Sequence, residues 1–115
     1  MVWQKAMALV TEIYSVTYNS PKDEIYSLTS QIRRAAVSIP SNIADGKAKH
    51  STNEFMRFLW IARGSLAELE TQLMIGQNLS YVSPERLEFL LNATEEIGKM
   101  LSGLLSKLES LKANT

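Results

Sequence analysis

The sequence predicts an all-α protein, an antiparallel up-down-up-down four-helix bundle. Three observations carry that prediction. Apolar residues recur at spacings of three and four along most of the 115 residues. The breaks between stripes carry helix-start signals at Ser20-Pro21, at Ser51-x-x-Glu54 and at Ser83-Pro84. No alternating stretch of convincing strand length is present.

Helix one is predicted over about residues 2–18, with Val2, Ala6, Leu9, Ile13 and Val16 on its inner stripe. Ser20, Pro21, Asp23 and Glu24 open helix two as cap, first-turn proline and dipole-matching acids. Its stripe is Ile25, Leu28, Ile32, Ala35, Ile39 and Ile43, and Gly46 is expected to stop it. Helix three starts from the capping box at Ser51 and turns Phe55, Phe58, Ala62, Leu66, Leu69 and Leu73 inward. Helix four starts at Ser83-Pro84 and carries Leu87, Leu90, Thr94, Ile97, Leu101, Leu104, Leu108 and Leu111 in three-four alternation. Short connections between long helices make sequence neighbours antiparallel, so one domain spans 1–115.

Trp3, Val10, Trp60, Ile61, Met74, Phe89, Leu91, Met100 and Leu105 fall outside these stripes. A lone bundle needs one apolar stripe per helix. A second apolar face points either to a wider core or to self-association.

Composition excludes several classes. Twelve basic and twelve acidic residues cancel, which argues against bulk-charge nucleic-acid binding. The distribution is uneven, however. Residues 31–63 hold Arg33, Arg34, Lys47, Lys49, Arg57 and Arg63 against only Asp45 and Glu54. The absence of cysteine fits a reducing cytoplasm. The start lacks a secretory pattern, and no apolar run reaches the ~20 residues of a membrane span.

The stretch with the strongest functional signal is 31–46, Gln-Ile-Arg-Arg-Ala-Ala-Val-Ser-Ile-Pro-Ser-Asn-Ile-Ala-Asp-Gly. It carries adjacent arginines and an interior proline within a helical pattern. Pro40 removes a backbone donor and should kink helix two, with Ser41 and Asn42 serving the freed groups. Folding the chain about the 46–51 turn brings Arg33 and Arg34 toward Ala62, Gly64 and Ser65, small residues that permit close approach. The arginines then either bridge to carboxylates such as Glu68 or Glu70, within the subunit or across an interface, or contact RNA phosphate. Lys47, Lys49 and His50 sit in the turn itself and form a solvated loop or a basic patch.

Nothing argues for an enzyme. Glu68/Glu70 and Glu95/Glu96 are not spaced to share a helix face. There is no Glu-x-x-His, no phosphate loop and no nucleophile elbow. No metal, cofactor or small-molecule substrate is expected.

Residues 31–46, together with Phe55-Met-Arg-Phe-Leu59 and Gly64-Ser-Leu-Ala-Glu-Leu-Glu-Thr-Gln-Leu73, resemble the bacterial 23S rRNA intervening-sequence protein family. The resemblance runs from Trp3-Gln-Lys-Ala6 to the leucine-rich end, with Asp45 where the family usually has glutamate. It implies a four-helix bundle that assembles into a homopentameric ring, with no established catalytic activity. A related branch, the accessory variability proteins of diversity-generating retroelements, works with a reverse transcriptase and RNA. The implied partners are further copies of the chain and a structured RNA or ribonucleoprotein. An assembly scaffold without RNA contact is the alternative.

Overall fold

The computed structural model describes residues 1–18 and 27–113 as four helices: α1 (Val2–Thr17), α2 (Leu28–Ala48), α3 (Thr52–Asn78) and α4 (Pro84–Ala113). Among the described residues there is no strand. Helices adjacent in sequence pack together, and α1 also packs on α4. Among the described residues the backbones of the diagonal pairs α1/α3 and α2/α4 do not come close, so the four helices stand at the corners of a square. The molecule measures 51 × 23 × 19 Å. Its long axis matches α4, whose 30 residues rise about 1.5 Å each.

The predicted stripes form the core. Ala6, Ile13, Ala36, Ile39, Leu59, Leu69, Leu73, Leu90 and Leu101 are fully buried. Truncating any of the large ones to alanine removes about 2–5 kcal/mol. Leu59, rather than Phe55 or Phe58, is the most buried residue at the start of α3; the two phenylalanines are only partly covered. At the end of α1 it is Thr17 that is buried and Val16 that is partly covered. The stripe predicted for α4 drifts at its far end. Leu105 is buried, Leu104 and Leu108 are partly covered, and Leu111 is exposed. Lys5, near the start of α1, pairs with Glu96 at 3.1 Å. The first turn of α1 therefore stands level with the middle of α4, and the last turns of α4 run on with α3 beside them.

The helix starts follow the predicted chemistry at two places. Ser51 Oγ accepts from Glu54 N–H at 3.4 Å, and Ser83 Oγ accepts from Arg86 N–H at 3.2 Å. The signals at Ser20, Pro21, Asp23, Glu24 and Ile25 lie outside the described residues. The stop expected at Gly46 is not there. Gly46 is buried inside α2, and a Cβ on it would lie 2.7 Å from Phe58 Cβ. Glycine is needed for close helix approach and not for a left-handed turn. The left-handed residue is His50, at φ 55°, whose N–H reaches Lys47 O at 3.4 Å. The end of α3 repeats the pattern. Ser80 takes φ 65°, its N–H reaches Gln77 O at 2.9 Å, and Tyr81 N–H reaches Gly76 O at 2.8 Å. Gly76 leaves room for Val82, whose Cγ2 would be 3.0 Å from an added Cβ.

Candidate nucleic-acid interface

The arginine motif is placed by α2 packing on α1 as well as on α3. Ala35, Ala36 and Ile39 point inward, which turns Arg33 to the α1 flank. Its Nε donates to Thr17 Oγ1 at 2.9 Å, and an Nη2 hydrogen reaches the Thr17 carbonyl at 3.3 Å. Thr17 Oγ1 in turn donates to Ile13 O at 2.7 Å. The guanidinium carbon lies 4.6 Å from the Tyr14 ring centroid. α1 has no basic residue in its own last turn. Arg33 supplies the cation that its exposed carbonyls and dipole favour.

Within the chain, Arg33 thus pairs with α1 and not with Glu68 or Glu70. Counting outward from the α2–α3 turn considered one neighbour of α2 and omitted the other. Glu68 instead accepts from Gln72 Nε2 at 3.1 Å, and Glu70 accepts from the buried Thr94 hydroxyl at 2.7 Å. Gln72 Oε1 is buried with no hydrogen-bond partner among the described residues. Arg34, one residue on, is exposed.

The α2–α3 contact has a polar clasp at mid-height. Asn42 Nδ2 donates to Ser38 O at 2.8 Å and to Ser38 Oγ at 2.9 Å, and Ser38 Oγ meets Ser65 Oγ at 2.8 Å. α2 continues through Pro40, which is buried. The carbonyl left without a helical donor by Pro40 is that of Ala36, four residues back. Asn42 thus binds a different carbonyl from the one Pro40 leaves free. Ser41 is exposed beside Pro40. Gly64 also departs from expectation, being exposed with nothing within 4 Å of an added Cβ. The close approach it was expected to allow occurs at Gly46.

The remaining basic residues divide into two places. Lys47, Lys49 and His50 are exposed at the end of the bundle where α2 turns into α3. Arg57 joins them from the first turns of α3, with its guanidinium donating to Glu54 Oε2 at 2.9 and 3.1 Å. Lys49 Nζ and Arg57 Cζ lie 5.6 and 4.6 Å from the Phe58 ring centroid. Arg63 sits higher on α3, 5.6 Å from the Trp60 ring. The sequence reading missed Lys107 and Lys112, which antiparallel packing of α4 on α3 returns to the basic end. Their signal was available in the topology and not in the local charge count.

Two opposite sides of the square carry grooves with exposed apolar residues, the α1–α2 groove almost wholly apolar and the α3–α4 cleft mixed with polar and charged residues. Between α1 and α2, a groove of about 370 Å³ is lined by Trp3, Met7, Val10, Val37, Pro40, Ser41 and Ala44. Between α3 and α4, a cleft of about 350 Å³ is lined by Met56, Trp60, Arg63, Ser102, Leu105, Ser106 and Glu109. Trp3 is 41% exposed and Trp60 56%. Among the described residues, no group of three or more His, Cys, Asp or Glu residues could hold a metal ion, and no helix is long and apolar enough to cross a membrane.

A comparison with curated proteins gives no match. Among solved structures, the chain is similar to a protein of unknown function from the S23 ribosomal protein family of Bacteroides thetaiotaomicron. The TM-score is 0.82 at 26% identity, over 91% of this chain and 98% of that one. Neither that relative nor the matching family indicates an enzymatic activity. The family model for the 23S rRNA-intervening sequence protein matches residues 1–103, and the chain belongs to that family.

Proposed function

We propose that the chain is a non-enzymatic, homo-oligomeric helical bundle of the cytoplasm. Its copies join head to tail into a ring, five to the ring as the family resemblance implies, and present a repeated basic end to structured RNA or a ribonucleoprotein. The observation that carries the assembly is the pair of grooves, each with exposed apolar residues. They lie opposite one another and differ in shape and composition. Two unlike patches on one subunit favour a heterologous contact, which closes into a ring or runs on as a filament. An exposed tryptophan on each side has the character of an interface anchor.

The RNA part is supported by the family and by the exposed Lys47 and Lys49 at one end. Weak contacts repeated around a ring gain strength through avidity. The alternative, a scaffold that never touches RNA, is favoured by two specific pairings. Arg33 is engaged with α1, and Arg57 is engaged with Glu54. Light scattering across a dilution series, followed by a salt titration of binding to a large-subunit rRNA fragment, separates the two. A stable multimer that binds the fragment steeply with salt supports the first reading. A stable multimer with no binding at low salt leaves the scaffold, and a monomer at all concentrations removes both.

A further inference from the structure

The exposed charge of the bundle is polarised along its long axis. At the end built from the last turn of α2, the first turns of α3 and the last turns of α4 stand Lys47, Lys49, Arg57, Lys107 and Lys112. The acids at that end are Asp45, Glu54 and Glu109. The end carries a net +2, while the other described residues, six basic and seven acidic, carry a net −1. Arg34 lies 13 positions back along α2 from Lys47, about 20 Å at 1.5 Å per residue. It belongs to the half that also holds Glu12, Glu68, Glu70, Glu85 and Glu88.

We propose that this basic end is the RNA-contacting surface, holding backbone phosphates through Lys47, Lys49, Lys107 and Lys112, with Arg57 kept on Glu54, and that the double-arginine motif takes no part in it. The proposal rests on the RNA reading above and locates it. Lysine ammonium groups on exposed helix ends are point charges suited to phosphate and carry no base-specific geometry. The ligand class is therefore the phosphodiester backbone of RNA, bound without sequence preference. In a ring of parallel subunits all such ends lie on one rim, and the opposite rim repels the same ligand.

The test compares two matched triple variants with the parent, all on exposed side chains. One is Lys47→Gln, Lys49→Gln and Lys107→Gln at the basic end; the other is Arg34→Gln, Arg86→Gln and Lys99→Gln elsewhere. Each is titrated against a short RNA stem-loop over a range of salt, after unfolding curves confirm that the fold is intact. The basic-end triple is expected to lower the slope of log K against log salt by about 2–3, and to weaken binding at least about tenfold at low salt. The other triple should stay within about twofold of the parent. Equal or greater loss from the second triple, or none from the first, overturns the location while leaving RNA binding in place. A parent that ignores the stem-loop at low salt overturns both the location and the RNA reading.

Discussion

Arg33 closes the C-terminal end of α1 through Thr17. Its Nε donates to Thr17 Oγ1 at 2.9 Å while an Nη2 hydrogen reaches the carbonyl of the same residue. A half-buried guanidinium is thus partnered by a helix terminus, a hydroxyl and the Tyr14 ring, with no carboxylate among the described residues. Its neighbour Arg34 faces water. Two adjacent arginines therefore have unlike roles.

Arg33→Ala should lower unfolding stability by about 1.5–3 kcal/mol, the range for a lost hydrogen bond to a charged group. Arg34→Ala should stay within about 0.5 kcal/mol of the parent, as surface substitutions do. Urea unfolding of the two variants checks this. Equal losses would mean that Arg34 has a structural partner in the assembled state.

Gly46→Ala places a methyl group 2.7 Å from Phe58 Cβ and 3.1 Å from Phe55 Cδ1. The neighbours are a Cβ atom and an aromatic ring, neither of which yields easily. A loss of about 1–3 kcal/mol is expected from overpacking. Gly64→Ala meets open space and should gain up to about 1 kcal/mol from helix propensity alone. A loss of assembly in that variant, with gained chain stability, would place a neighbouring subunit against α3 at Gly64.

Gln72 buries an amide oxygen with no partner among the described residues, while its amide nitrogen is held by Glu68. Gln72→Leu removes the orphaned acceptor and returns Glu68 to water. Thermal unfolding should rise, by a stability gain of about 0.5–1.5 kcal/mol. A drop instead would show that a partner completes the amide's bonding.

His50 and Ser80 each hold a left-handed backbone that costs an ordinary residue about 1–2 kcal/mol. Glycine adopts it without that cost. His50→Gly and Ser80→Gly should each raise the unfolding midpoint, additively, since they sit at opposite ends of α3.

The helices were legible because their signals are local. Caps at Ser51 and Ser83 and the stripes at Ile13, Ile39, Leu69 and Leu101 depend on neighbours within a few turns. What failed was non-local. A hairpin count points Arg33 at α3 because it sees only the next helix, whereas a bundle gives every helix two neighbours. Gly46 is ambiguous in sequence because a glycine near a predicted helix end signals a stop as well as a close contact. Lys107 and Lys112 escape a charge count over 31–63 because a linear count ignores chain reversal. The functional residues depend on such three-dimensional returns more than the core does.

The assembly claim reduces to one mixing experiment. Val37→Glu disables the α1–α2 side, and Trp60→Glu disables the α3–α4 side. Light scattering should find the parent multimeric and each variant monomeric at micromolar concentration. An equimolar mixture of the two should give the mass of two chains, because one intact patch of each kind remains to pair and the disabled patches stop growth. A mixture that stays monomeric, or a single variant that pairs with itself, would contradict head-to-tail joining of the two grooved sides.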